Sequence, residues 1–443
     1  MCDVPTDSPA GGETDYDAII LGAGISGLVG TSVLLGQGAK RVLLVDEYDR
    51  IGGNHIDVTI GDYTFDIGSL IFQDDSPLLT HFPELLPLYV EIVPTWGRLT
   101  PQGVVTRYPF SVKDDLVRAG PIEWTRIALS LLSARLFRRK IRNAKEFAEF
   151  WIGPRLLNRS GLYQYMTRFY GLPAENVDLR FAEKRMMWIK EHASLAKYLP
   201  SLPTAKVAKP NNIKNKQLAR PRSGFAELYA AARQQLESRG VEFRLGQRID
   251  LLHKKNDVFL LEANGATASA RRLVSTIPLD QIQALCGHEV ECNLQTVTLI
   301  SLFFSFAGDR GFEDAVLYNF SHDGWWKRLT VYSDFYGRAE GREYFAVEVN
   351  ADHAGGSVEL AAEDFQRHTT ANKLFNGDLK LEGSHTISNA YPMYTDGAGE
   401  RAGAILAELR DWGIESIGRQ GAFDYQPTAR DTTLKAEAAL RRG

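Results

Sequence analysis

The stretch Asp17-Ala-Ile-Ile-Leu-Gly-Ala-Gly-Ile-Ser-Gly-Leu28 constrains this chain more than any other. A short apolar run, Ala18 to Leu21, reads as a buried parallel strand, and a helical pattern begins directly after Gly22-x-Gly24-x-x-Gly27. Each glycine has its own reason to be there. Gly22 permits the tight turn, Gly24 lets backbone approach a pyrophosphate, and Gly27 lets helix and strand pack closely. The helix start, at Ile25 and Ser26, then offers free N–H groups and a partial positive charge to phosphate. A second apolar run, Arg41-Val-Leu-Leu-Val45, ends in Asp46-Glu47. That is about 20 residues past the glycines, where a carboxylate bonds a ribose hydroxyl. This strand–turn–helix–strand unit predicts a Rossmann-type α/β domain that binds a dinucleotide.

Shortly after comes Arg50-Ile-Gly-Gly-Asn54. Gly52 and Gly53 let main chain lie against phosphate, and Arg50 offsets its charge. From Asp17 to Asn54 the chain resembles the flavoprotein superfamily that holds amine oxidases, protoporphyrinogen oxidase, phytoene desaturases and UDP-galactopyranose mutase. In that family the Arg-x-Gly-Gly segment wraps the FAD pyrophosphate, so the resemblance implies FAD, which we expect to be held non-covalently. It extends to about residue 435. Tyr63-Thr-Phe-Asp-Ile-Gly-Ser-Leu-Ile-Phe72 resembles the segment that runs along the flavin, which implies Gly68, Ser69 and Leu70 as contacts. Pro221 to Leu228 resembles the step that opens a helix of the FAD domain. Gly246-Gln-Arg-Ile249 and Leu273-Val-Ser-Thr-Ile-Pro278 resemble the strands covering the adenine half, which implies Ile249 and Thr276. Ala390-Tyr-Pro-Met-Tyr394 and Gly418 to Tyr425 resemble the last FAD-contacting segment, with Asp431 a few residues on.

The same resemblance supplies the chemistry candidates. Gly418-Arg419 implies a cation beside the flavin ring or substrate, and Tyr391, Tyr425 and Tyr394 are candidates for the pocket wall. Phe169-Tyr-Gly-Leu-Pro173 resembles the sugar-mutase branch, so Tyr163, Tyr165 and Arg168 are candidate substrate contacts. Two departures stand out. Many mutases have a His after the Phe-Asp-x-Gly segment, where this chain has Gly68-Ser-Leu-Ile, and the segment Gln426-Pro-Thr-Ala-Arg-Asp431 is longer than usual.

Length and composition fit this reading. The 443 residues hold two or three domains, and a net charge of −4 argues against a general nucleic-acid binder. Cys2, Cys286 and Cys292 are scattered, so neither a disulfide framework nor a metal site is expected, and a reducing, cytoplasmic setting is. The first 15 residues read as a loose polar tail, not a signal peptide, and no apolar run is long enough to span a bilayer. The expected FAD domain takes 16–112, 206–290 and 385–435, interrupted by a helical lid at 113–205 and a β-rich substrate domain at 291–384. Lys206 to Arg222, with six basic residues and no acid, reads as a mobile loop suited to an anionic substrate. Ile122 to Leu136 reads as an amphipathic helix ending in Arg135, Arg138, Arg139, Lys140 and Arg142. We expect it to face the core with a basic outer side; the alternative is peripheral contact with an anionic membrane. Trp325-Trp326 beside Lys327 and Arg328 is either a stacking wall for ligand or packing.

The sequence therefore predicts an α/β chain with a Rossmann-type FAD domain, a mixed-sheet substrate domain and a helical insertion. The expected activity is hydride transfer from a small or medium organic substrate, amine or sugar-related, to FAD. The alternative is a non-redox nucleotide-sugar mutase that uses reduced FAD. Neither nucleic acid nor a transmembrane segment is expected, and a homo-oligomer is left open.

Overall fold

A computed structural model of the chain describes residues 14–68, 71–109, 115, 119–137, 140–185, 215–287 and 293–441. Ser69, Leu70, Cys2, Cys292, Arg138, Arg139 and the 206–214 part of the basic stretch lie outside the described residues.

The first sheet is built on β1 (Tyr16–Leu21) and β2 (Val42–Asp46), joined by helix α1 (Ile25–Gly36). Strand order runs Val241–Leu245, β2, β1, Ala266–Ser275, Val258–Ala263, Ile249–Lys255, and Ile414–Ser416 also pairs with Ala266–Ser275. Both faces of this sheet are covered, which is why its central strands read as continuous apolar runs. Ile20, Val42 and Leu44 point to a layer holding α1 and the helices Phe225–Glu237 and Ala429–Leu440. Their neighbours Ile19, Leu21, Leu43 and Val45 point to the opposite layer, with the helix Ala398–Asp411. Register then fixes the site. Leu21 pairs with Val45 on one side and with Ser275 on the other, in parallel. Gly22, Asp46 and Thr276 thus emerge side by side at the carboxyl ends of three strands, the place where open α/β sheets bind ligands.

The second sheet has the order Phe375–Pro392, Thr296–Arg310, Glu343–Asn350, Trp326–Val331, Val316–Asn319, Trp96–Leu99, Val105–Arg107. Its first two strands pair antiparallel along nearly their whole length, from Arg310↔Phe375 to Thr296↔Pro392. This carries the sheet's end to the edge of the first domain. One face packs on the helix Val358–Ala371, whose N-terminus Ser357 caps. The other faces the hairpin Asp57–Ile60/Tyr63–Asp66. A helical block, Pro121–Phe137 to Leu179–Arg185, covers one end.

Three expectations change. Trp96–Leu99 and Val105–Arg107 belong to the second sheet, so the 16–112 segment serves both sheets. The described part of the basic stretch is not a loop: Gln217–Ala219 is a strand between Phe72–Gln73 and Val90–Ile92. Arg220 after it is buried, held by Asp66, by the Thr64 carbonyl at 2.8 Å and by the Pro221 carbonyl at 2.7 Å. Last, the helix Pro121–Phe137 buries only Ile127 and Leu131, and its outer side carries apolar residues as well as basic ones.

Candidate functional site

Two glycine pairs build one cradle. Gly22 has φ +101°, and a Cβ there would lie 2.2 Å from the Thr276 hydroxyl oxygen. A Cβ on Gly27 would lie 1.9 Å from the Gly22 carbonyl oxygen, so the turn and the helix meet backbone to backbone. Gly52 (φ +121°) and Gly53 (φ +60°) then lie against the first turn: Gly52 N–H donates to the Ala23 carbonyl at 3.0 Å, and Gly24 and Gly52 form a β-bridge. The result is a cleft of about 410 Å³ floored by main chain, open above Gly24, Ile25, Ser26, Gly53 and Asn54. A second groove of about 730 Å³ continues it, sharing Asp46, Glu47, Ile277 and Gln281 and reaching Ile249. Asp46 is buried at the join, accepting from Ala23 N–H at 2.5 Å and Tyr48 N–H at 2.9 Å. Burial raises its pKa against these two amides.

The far wall is electropositive. Arg419 donates to the carbonyls of Ala390 (3.2 Å) and Gln426 (2.8 Å), and no carboxylate pairs with it among the described residues. Burial lowers its pKa, but a guanidinium remains charged. Gly418 before it has φ +86° and packs on Ser26, which brings this segment's backbone against the start of α1. The helix Ala429–Leu440 adds its own N-terminus to the cleft through Thr428, Ala429 and Thr432. Two helix starts and a cation without a carboxylate partner among the described residues suit this part of the lining to an anion, while Asp46 and Glu47 lie in its other part. His55, also in the lining, is neutral: burial first and Arg419 second push its pKa down to about 3.

Beyond Arg419 lies an aromatic cluster; its Tyr391 and Tyr425, both expected site residues, do not line this cleft. Tyr391 stacks on Phe169 (5.7 Å) and meets Tyr425 edge-on (6.1 Å), while its hydroxyl donates to the Phe169 carbonyl at 2.8 Å. Lys327 donates to the Tyr391 hydroxyl at 3.2 Å and pairs with Glu348 at 2.7 Å. Arg328 holds the other Glu348 oxygen, its Nε donating at 3.1 Å. Burial opposes ionisation of Glu348, yet Arg328 and Lys327 outweigh it and hold the carboxyl at about 2. Burial pushes the Lys327 pKa down, with Glu348 opposing. Gly68 lies over this triad: a Cβ there would be 3.5 Å from Glu348 Oε1. Tyr332 fixes that segment through the carbonyls of Asp66 (2.9 Å) and Gly68 (2.7 Å).

The family described as flavin containing amine oxidoreductase matches residues 25–361, well over half of the chain. The chain belongs to that family. Its fold is similar to that of a reduced UDP-galactopyranose mutase, with TM-score 0.77 and 18% identity over 96% of this chain and 95% of the other. It is also similar to a CLA-producing fatty acid isomerase from P. acnes (TM-score 0.62, 11% identity, 97% and 98% covered). A putrescine oxidase variant gives TM-score 0.60 at 14% identity, with 96% and 98% covered. These are likenesses of fold. In sequence, 89 residues are 37% identical to the chloroplastic prolycopene isomerase of Arabidopsis thaliana, a match that takes in 19% of this chain and 15% of that protein.

In this flavin-family chain the expected site residues divide. Gly22, Gly24, Ile25, Ser26, Asp46, Glu47, Gly52, Gly53, Asn54, Thr276 and Arg419 line one cleft. Gly27 and Gly418 shape it from behind. Arg50 does not line it; its side chain is mostly exposed, beside Asp49 at 3.5 Å. Asp431 is also absent from the lining, because its carboxylate accepts from the Thr428 hydroxyl at 2.6 Å in a helix cap. Among the substrate candidates, Tyr163 bonds Glu175 at 2.9 Å and Tyr165 stacks on Phe320 at 4.4 Å within the helical core. Arg168 is a structural clamp: it is buried and donates to the carbonyls of Gly324 (2.6 Å), Asp323 (2.8 Å), Ser321 (2.9 Å) and Asn319 (3.3 Å). Tyr394 reaches Tyr425 N–H at 2.5 Å and stacks on Phe181 at 4.3 Å, which places it behind the aromatic cluster. Trp326 is packing, buried and bonded to His368 at 2.9 Å. The Lys327–Glu348–Arg328 triad and His55 were not singled out from sequence as site residues. A lone Glu in Val347-Glu-Val349, opposite Lys-Arg in a strand, was the available signal.

Proposed function

We propose that the cleft holds FAD without a covalent bond and that the chain oxidises a small or medium organic substrate, amine or sugar-related, by hydride transfer to the flavin. The observation that carries this reading is Arg419, a half-buried cation whose partners among the described residues are carbonyls, between the glycine cradle and the Tyr391–Tyr425 cluster. Such a charge suits an anionic ligand, with which it can make charge-assisted hydrogen bonds. The glycine cradle and the two helix starts would hold the pyrophosphate, Asp46 or Glu47 the ribose, and the groove by Ile249 the adenine end. FAD supplies a ring that accepts a hydride. The chain's residues do the rest: Tyr391 and Tyr425 shape the space beside it, Lys327 positions the Tyr391 hydroxyl, and Arg419 fixes negative charge. In this reading the first sheet is the FAD domain, and the second sheet with the helical block is the substrate side.

The second reading is a nucleotide-sugar mutase working with reduced flavin. Likeness to the mutase fold over 96% of the chain favours it, as do the Phe169–Pro173 and Ala390–Pro392 segments. Anaerobic titration of the holoprotein with amines and with UDP- and TDP-sugars separates the two. Bleaching of oxidised flavin by substrate alone supports the oxidoreductase. Sugar isomerisation that appears only after dithionite, with no bleaching before it, overturns it in favour of the mutase.

A further inference from the structure

The helix Pro121–Phe137 is apolar on two opposite sides. Ile127 and Leu131 face inward, onto the helical core. Ile122 (71% exposed), Leu129, Leu132, Leu136 and Phe137 (81%) face outward. The spacing of positions 122, 129, 132 and 136 puts these side chains on one strip of the helix. Monomeric proteins rarely leave so many large apolar groups together in water. The strip's surroundings are basic. Beside Leu129 and Ser130 lies an open basin lined by Arg126, Arg155, Arg159 and His322. There Arg155 (2.6 Å) and Arg126 (3.8 Å) share the carboxylate of Glu123, and Arg159 lines the same basin. Exposed Arg135 and Lys140 follow near the helix's C-terminal end, while Arg142 is paired with Glu146 at 2.9 Å. The chain as a whole is net negative, at −4, so this concentration of positive charge is segregated.

We propose that this strip and basin form a docking surface for an anionic phospholipid bilayer. The apolar strip enters the headgroup–acyl boundary while the arginines meet lipid phosphates. No helix among the described residues is long and apolar enough to cross a membrane, so the contact is peripheral. Charge complementarity favours lipid over a second copy of the chain, whose equivalent face would bring the same arginines together.

The test is flotation of the full chain with vesicles of phosphatidylcholine alone and of phosphatidylcholine with phosphatidylglycerol. The wild type is expected to float with the anionic vesicles and to be released by raised salt. The variant L132S/L136S/F137S, altered only at exposed positions, should lose binding about 10-fold or more. R126Q/R159Q should lose it by a similar factor on anionic vesicles only, since each cation near such a surface is worth roughly fivefold. Circular dichroism of both variants should match the wild type. Failure of the wild type to float with anionic vesicles overturns the proposal, as does equal binding by the apolar variant. A wild-type dimer that the apolar variant converts to monomer, without vesicle binding, assigns the strip to a second copy instead. None of these readouts depends on the flavin or its substrate.

Discussion

The three glycines of the first turn should respond to alanine in three different ways. Gly24 has ordinary backbone angles, φ −75° and ψ −179°, and an added Cβ would meet only Gly53, at 3.6 Å. Gly24→Ala should therefore leave the apoprotein intact, or stabilise it by about 0.4–1 kcal/mol through the unfolded chain. Its methyl instead occupies the surface that the proposed FAD site offers to the pyrophosphate. Overpacking of about 1–3 kcal/mol, transferred to that contact, weakens FAD binding about 5- to 150-fold. Gly22→Ala meets two penalties. Its φ of +101° costs an L-residue about 1–2 kcal/mol, and its Cβ would overlap the Thr276 hydroxyl, which bonds the Leu21 carbonyl at 2.9 Å. Gly27→Ala is the most severe, because its Cβ would sit 1.9 Å from a backbone oxygen that cannot rotate away. The loss should reach or exceed the ~3 kcal/mol top of the usual overpacking range. Urea unfolding of the apoproteins and FAD titration by flavin fluorescence measure both quantities. Wild-type FAD affinity in Gly24→Ala would refute the placement of the dinucleotide on this turn. Equal destabilisation by Gly24→Ala and Gly27→Ala would refute the geometric reasoning.

Other perturbations probe the walls. Arg419→Gln should leave apoprotein stability within about 1 kcal/mol but weaken FAD roughly 10- to 150-fold, the worth of a charge-assisted bond, by the same titration. Glu348→Gln strips Lys327 of its carboxylate partner in a buried setting and should cost about 3–5 kcal/mol in urea unfolding. Glu348 is depressed from its ordinary 4.5 to about 2, so its ion pairs stabilise fully above pH 4.5 and fade as pH falls toward 2. The variant's stability curve should be flatter over that acid window. Arg168→Met should cost at least about 2 kcal/mol by orphaning buried carbonyls, yet leave FAD affinity unchanged, since Arg168 does not line the cleft.

What was legible in sequence was local. Glycine spacing and the apolar runs of β1 and β2 are set within a few residues, so the cradle from Gly22 to Asn54 could be read directly. The wall was not. Lys327 and Glu348 meet only because the strands Trp326–Val331 and Glu343–Asn350 pair antiparallel, with Arg328 opposite Glu348. Arg220 looked like part of a basic loop because its partner Asp66 lies far away in sequence. Arg168 looked like a ligand contact because sequence shows a charge but not the four carbonyls it holds. Asp431 has a local role that sequence also spells: Thr428-Ala-Arg-Asp431 is a helix cap, and its carboxylate accepts from the Thr428 hydroxyl.

The most direct test of the central claim is chromophore release. The purified protein is denatured in acid, and supernatant and pellet are analysed by chromatography, beside Gly24→Ala prepared in parallel. The account predicts FAD in the supernatant, one per chain, with reduced content in the variant. Flavin retained on the pellet, FMN in place of FAD, or no flavin even after reconstitution would contradict it.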